Sequence, residues 1–273
     1  IPLFSTFSTF AQDDVPGDDM MSLPVKGGIL NVHDPVVIKH EDYYYLYHTG
    51  TGIPIKRSQD MITWGVARGG NVVQSQPEPF EYVPGATDIW APDISYWNDL
   101  YHMYYSVSTF GSSHSAIGLA TNTTLNYDDE AYEWVDHGIV IKSNSSSNWN
   151  AIDPNLVIDE DDEPWLVFGS HWSGIKMIKI DAETGLQSEE DTTLYDIASR
   201  AIHPRAIEAP FIIYRNGWYY LFVSFDQCCS GINSTYNVRV GRSEAVTGPY
   251  VDRDGVPMME DGGTPLLWWE EGG

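Results

Sequence analysis

The sequence predicts an all-β fold of the propeller type, and three observations carry that prediction. The first is an internal repeat. Four times a small or charged residue followed by proline opens an apolar stretch, at Asp34-Pro35, Ala91-Pro92, Asp153-Pro154 and Ala209-Pro210. The prolines are spaced by 57, 62 and 56 residues, a length suited to one propeller blade of short strands. The second is periodicity. Alternating and β-rich aromatic runs recur throughout, whereas no long stretch places apolar residues at i, i+3, i+4 and i+7. The third is turn chemistry at the same point of every copy. His40-Glu41-Asp42, Trp97-Asn98-Asp99, Glu160-Asp161-Asp162-Glu163 and Arg215-Asn216-Gly217 each separate a first strand from a second.

In the first copy Val36-Val37-Ile38 leads into a strand over 43–47, followed by a third strand over 53–57 and an outer segment near Val72. The second copy reads Ile94-Ser95-Tyr96, then 101–105, 116–120 and a segment near Ile139. The third reads Leu156-Val157-Ile158, then 165–168, 175–180 and a segment near Leu194. The fourth reads Phe211-Ile212-Ile213, then 218–223, 238–242 and an outer strand over 264–269. Three to four strands per copy complete a blade, and with no linker in sight residues 1–273 are expected to form a single propeller domain. The acidic run 159–163 has the composition of a calcium loop. It occupies the hairpin position of the other three turns, and is read as a solvated turn.

Composition narrows the partners. Fourteen basic residues against 39 acidic ones give a net charge of -25, which repels nucleic acid and anionic membrane surfaces. No apolar run approaches the roughly 20 residues of a membrane span. The expected ligand is neutral or cationic. Two adjacent cysteines, Cys228-Cys229, exclude a framework of long-range disulfides and leave open a vicinal disulfide or two free thiols. Sequons at Asn122, Asn144 and Asn233 are glycan acceptors if the chain passes through a secretory pathway. The first residue is not Met and residues 1–11 lack a basic segment, as expected of a secreted, extracellular chain whose signal has been removed.

In a propeller, equivalent strands converge on one axis, so residues far apart in sequence can line one pocket. Three openers carry an acid: Asp34, Asp153 and, one residue earlier in its copy, Glu208. Two carboxyl groups cut a glycosidic bond, one protonating the leaving oxygen while the other activates water or attacks the sugar. A lone Asp-Pro reads as a strand cap; three acids in register on a repeat point to chemistry. The following proline is expected to hold the backbone of Asp34 and Asp153 extended. Ala91 replaces the acid in the second copy, an asymmetry that favours one catalytic site over a non-catalytic sugar-binding propeller with a site in every blade. Which carboxyl stays protonated depends on desolvation, which composition does not reveal.

Several segments, taken in order, carry a resemblance. They are His33-Asp34-Pro35, Ile89-Trp90-Ala91-Pro92-Asp93, Ala151-Ile152-Asp153-Pro154, Phe168-Gly169-Ser170 with Trp172-Ser173-Gly174-Ile175, Ile207-Glu208-Ala209-Pro210, and Cys228-Cys229 followed by Ser234-Thr235-Tyr236-Asn237. Together they resemble the endo-1,5-α-L-arabinanases of glycoside hydrolase family 43. The resemblance implies a five-bladed β-propeller, with this chain ending before a complete fifth blade. It implies hydrolysis of α-1,5-linked L-arabinan, a pectin side chain, with inversion. The partner would be arabinan or arabino-oligosaccharides, and the enzyme would act as a monomer.

The resemblance also assigns roles. Asp34 becomes the general base, Glu208 the general acid, and Asp153 the carboxylate that orients Glu208 and raises its pKa, since an ionised neighbour disfavours a second negative charge. Trp90 and Phe110 match positions that hold arabinose units, as aromatic planes suit the C–H faces of sugars. Ser170 and Tyr236 match positions that bond substrate hydroxyls. His171 stands where the family more often has an aromatic residue. His33 is placed to orient the base. No cofactor is implied for the chemistry. A structural calcium or other cation on the propeller axis is implied, through a fifth-blade histidine that this sequence does not reach. The eight histidines show no zinc spacing, so metal ligands are unknown. A β-xylosidase or α-L-arabinofuranosidase on the same scaffold is the alternative enzyme.

Overall fold

The computed structural model describes residues 24–267. The segment 1–11 and the last two positions of the strand expected over 264–269 lie outside the described residues. Blade one contains β1 (Lys26–Gly27), β2 (Val36–His40), β3 (Tyr43–Tyr47), β4 (Pro54–Ser58) and β5 (Thr63–Asn71), ordered β1-β5-β4-β3-β2. After α1 (Glu78–Tyr82), blade two runs β6 (Trp90–Trp97), β7 (Leu100–Val107), β8 (Ser115–Asn122) and β9 (Val135–Ser143). Blade three is β10 (Asn155–Ile158), β11 (Pro164–Phe168), β12 (Ile175–Lys179) and β13 (Tyr195–Ala198). Blade four is β14 (Ile207–Arg215), β15 (Trp218–Phe225), β16 (Asn237–Ser243) and β17 (Thr264–Leu267).

The described residues form four blades of a propeller, one sheet each, and a complete fifth blade is not among them, in line with the expectation that a fifth would be incomplete. Each sequence copy supplies one sheet, and the four copies account for the described chain. All four predicted turns close hairpins, with His40 opposite Tyr43, Trp97 opposite Leu100, Ile158 opposite Pro164 and Arg215 opposite Trp218. The acidic turn at 159–163 is built by its first residue. One oxygen of Asp159 accepts the amides of Asp161 and Glu163, and the other accepts the Trp165 indole N–H. The helix α1 escaped the sequence reading because five residues, opened by Pro77 and carrying Pro79, are too short to show a 3.6-residue period.

The hydrophobic core lies between blades. Side chains of a strand alternate between faces, so the two middle blades bury both. Met103 and Tyr105 of β7 face blade one, packing with Tyr47, Ile53 and Ile55, while Tyr104 faces blade three with Leu166, Phe168 and Ile178. Trp165 and Val167 of β11 point the other way, against Leu221, Val223 and Phe225 of blade four. Burial on both faces explains why β7 and β11 read as nearly continuous apolar runs. The outer face of β14 is left partly open, with Phe211 44% and Ile213 39% exposed.

A polar relay crosses the same interfaces one residue after the repeat prolines. Asp93, buried, accepts the Leu156 amide at 2.9 Å and the Asn155 side-chain amide at 3.2 Å; Asn155 in turn accepts the Ile212 amide at 2.8 Å. Blade two thus grips blade three, and blade three grips blade four. Burial pushes the Asp93 carboxyl up to about 6, against the pull of the bonds from Leu156 and Asn155. A carboxyl raised in the folded state contributes stability that is fully present below its unfolded value and lost as pH rises through its folded value. We therefore expect the stability of the wild type relative to Asp93→Asn, measured by urea unfolding, to grow by roughly 2–3 kcal/mol between about pH 7.5 and pH 4. A difference that stays constant across that range would remove Asp93 from the balance.

Candidate active site

The site is shaped by the residue before each repeat proline. Asp34, Ala91, Asp153 and Ala209 all adopt left-handed backbone, with φ of 49°, 41°, 57° and 52°. This corrects the expectation of extended backbone at Asp34 and Asp153. Proline removes the right-handed region from the residue before it, and here the chain takes the other remaining basin. In blades two and four the consequence is a bulge, between Trp90 and Asp93 and between Glu208 and Phe211, that turns the innermost strand at the cavity. A left-handed alanine costs about 1–2 kcal/mol, so something must hold it there.

Neighbouring blades do. The Ala91 amide donates to Thr49 Oγ1 at 2.8 Å, and the Asp153 amide donates to Ser106 Oγ at 2.9 Å. Thr49 and Ser106 each stand fourteen residues after their repeat proline, as does Ser224. In the third copy that place is taken by Phe168, and the Ala209 amide donates instead to Asp153 Oδ2 at 3.1 Å. Sequence reasoning missed Thr49 and Ser106. The signal was available, a hydroxyl residue at the same offset in three of four copies.

These strand ends enclose a cavity of about 1220 Å³ lined by residues from all four blades. Asp34, Trp90, Phe110, Asp153, Ser170, Glu208 and Tyr236 all line it. Asp34 Oδ2 accepts the Thr49 hydroxyl at 2.5 Å and lies 2.8 Å from His33 Nδ1, with its side chain 37% exposed. Glu208 is more enclosed, its side chain 15% exposed. Ser170 donates to its Oε2 at 3.0 Å, Tyr236 donates to its Oε1 at 3.0 Å, and His171 Nδ1 approaches Oε2 at 3.5 Å. Ser170 and Tyr236 thus hold Glu208 in this geometry, a contact that sequence did not anticipate. Trp90 is half-buried and Phe110 stands on the rim, 85% exposed. Cys228 and Cys229, which also line the cavity, are joined as a vicinal disulfide, resolving the alternatives left by their adjacency.

The carboxyls feel one another. Burial, then the charges of Glu208 and Asp34, push Asp153 well above the usual carboxylate range, while the Ala209 amide pulls it back. Burial also pushes Glu208 up, but hydrogen bonds from His171, Ser170 and Tyr236, with the charge of His171, outweigh it and hold Glu208 below its ordinary value. The coupling foreseen between Asp153 and Glu208 therefore has the opposite polarity in this geometry: Asp153 is the carboxyl pushed up and Glu208 the one held down. Burial and the Glu208 charge push the Tyr236 phenol far up, so it remains a neutral donor.

Three carboxyls from different blades, set around a sugar-sized cavity with aromatic side chains at its wall and rim, define a glycoside hydrolase of the propeller class. The comparisons agree. The model of glycosyl hydrolases family 43 matches residues 24–273. The chain is 46% identical over 242 residues to the extracellular endo-α-(1→5)-L-arabinanase 1 of Bacillus subtilis strain 168, covering 86% of this chain and 72% of that protein. It superposes on the endo-arabinanase of Bacillus licheniformis with a TM-score of 0.83 at 46% identity, over 90% of this chain and 83% of that one. An exo-1,5-α-L-arabinanase from a bovine ruminal metagenomic library gives a TM-score of 0.81, also at 46% identity, over 87% and 79%. The chain belongs to glycosyl hydrolases family 43.

Thr49 ties Asp34 to the next blade, so Thr49→Val should lower stability by about 1–1.5 kcal/mol, the net worth of the hydrogen bonds it makes to Asp34 and to the part-buried Ala91 amide. Thr49→Ser keeps the hydroxyl and should stay within about 0.5 kcal/mol of wild type in the same thermal unfolding experiment.

Proposed function

We propose that the protein is an inverting endo-hydrolase of α-1,5-linked L-arabinan. The observation that carries this reading is the convergence of Asp34, Asp153 and Glu208, from blades one, three and four, on one cavity. Asp34, open to solvent and oriented by Thr49 and His33, is suited to take a proton from water attacking the anomeric carbon. Glu208, enclosed and held by Ser170 and Tyr236, is suited to give its proton to the leaving oxygen. For that step Glu208 must carry a proton. Sugar hydroxyls that engage Ser170 and Tyr236 would take away two of the donors that favour the Glu208 anion, and Asp153 would then act as its charge partner. Trp90 and Phe110 are assigned to the C–H faces of the sugar rings.

The cavity exceeds the roughly 300–1,000 Å³ of an ordinary small-molecule site, which favours internal cutting with several sugars bound. Among the described residues no group of three or more His, Cys, Asp or Glu side chains is arranged to hold a metal ion. The two Bacillus relatives and the ruminal enzyme are named as arabinan-cleaving, and no observation favours xylan. We further propose that the chain is exported and acts as a monomer, in line with the extracellular naming of the Bacillus subtilis relative.

Asp34→Asn and Glu208→Gln should each lower kcat on debranched arabinan by about 10²–10⁴-fold, with unchanged folding by circular dichroism. Wild type should release the inverted anomer, read by proton NMR of the nascent product, and a ladder of oligomers. A single small product would mean cutting from an end. Retention of a tenth of the activity by either variant would rule out that residue's role.

If the chain is exported from a eukaryotic host, glycans should map to Asn144 and Asn233, which are exposed, and not to Asn122. The Asn122 side chain is buried and its oxygen accepts the Thr124 and Glu133 amides. Peptide mapping after glycosidase treatment reads this directly, and a glycan on Asn122 in folded protein would contradict the packing.

A further inference from the structure

We propose that His171 is a positioning residue for Glu208: its imidazole holds the Oε2 edge of the carboxyl, directly and through Ser170, and so helps to set the pH range over which Glu208 carries a proton. This rests on the reading of Glu208 as the acid. The ring lies 3.5 Å from Glu208 Oε2, with Ser170 Oγ 3.0 Å from His171 Nδ1 and donating at 3.0 Å to the same Oε2. An Nδ1–H tautomer therefore feeds a two-step chain, from imidazole to hydroxyl to carboxylate. In its cationic form the ring adds a positive charge beside a carboxyl enclosed enough to feel it.

The placement is enforced by backbone. His171 and Trp172 are consecutive non-glycine residues in left-handed conformation, with φ of 51° and 44°, a combination that persists when surrounding contacts impose it. Those contacts are present. The His171 amide donates to the Ile207 carbonyl at 2.8 Å, its own carbonyl accepts the Gly174 amide at 2.7 Å, and the Ser173 amide donates to Asn148 at 2.8 Å. The loop between β11 and β12 is thereby pinned to the residue preceding Glu208.

The titratable groups around Glu208 are few and identifiable. Asp153 bonds the amide next to it and itself feels the charge of Asp34; Tyr236 faces it from the segment before β16 as a neutral donor. His33, His203, Arg205 and Asp226 line the same cavity, and Asp226 is engaged by Arg200 at 2.8 Å. Of these, His171 is the cation-forming side chain that contacts the Glu208 carboxylate.

The test is the pH profile of kcat on debranched arabinan for wild type, His171→Phe and His171→Asn. Removing the ring should move the alkaline limb, where the acid loses its proton, upward by roughly 1 pH unit in His171→Phe. His171→Asn keeps an N–H donor and a residue tolerant of left-handed backbone, and should shift the limb by about half as much with KM within about twofold. If His171→Phe does not fold, the shift in His171→Asn decides alone. An alkaline limb unmoved in the folded variants overturns the role of His171, provided Glu208→Gln is inactive. An active Glu208→Gln would instead overturn the assignment of the acid itself.

Discussion

In blades two, three and four, one amide is received outside its own sheet. The left-handed residue before each repeat proline turns the innermost strand at the cavity, and at Ala91, Asp153 and Ala209 its N–H is received by the preceding blade, at Thr49, Ser106 and Asp153. Each of these hydrogen bonds joins the turned backbone of one blade to a side chain of the blade before it, so the setting of the blades and the backbone beside Asp153 and Glu208 depend on the same contacts. Two of the three acceptors belong to the site or touch it: Thr49 also donates to Asp34, and Asp153 is itself one of the carboxyls. Stability and chemistry are therefore coupled at the innermost strands.

Around that contact the apolar core provides the bulk of the adhesion without direction. Three clusters fill the interfaces of blades one with two, two with three and three with four. Hydrophobic packing of this kind tolerates small rotations of one sheet on another. The buried relay from Asp93 through Asn155 to Ile212 does not, because each bond requires a given donor opposite a given acceptor. Register between blades is thus specified by polar groups, and the cavity inherits its shape from that register.

Within the cavity the carboxyls differ by their donors more than by their type. Asp34 faces solvent with one hydroxyl and one imidazole beside it. Glu208 is enclosed and receives hydroxyls from Ser170 and Tyr236, with His171 at its edge. Asp153 has a single amide to offset its burial and the two neighbouring charges. The opposite bias of Asp153 and Glu208 follows from these surroundings, and whatever engages the donors of Glu208 will change it.

Much of this was legible in the chain alone. The repeat of X-Pro openers, the hairpin turns and the period of two marked four strand-rich copies and placed their strands, because blade length, turn chemistry and side-chain alternation are local properties. The same repeat placed Asp34, Asp153 and Glu208 on one cavity, since equivalent positions of a propeller share an axis. Tertiary structure alone decided the rest. The left-handed backbone before the prolines, the bond between Cys228 and Cys229, and the capture of Glu208 by Ser170, Tyr236 and His171 depend on groups brought together from different blades and loops. Protonation is likewise a tertiary property, as it answers to burial and to the sum of nearby charges, neither of which is written at any single position.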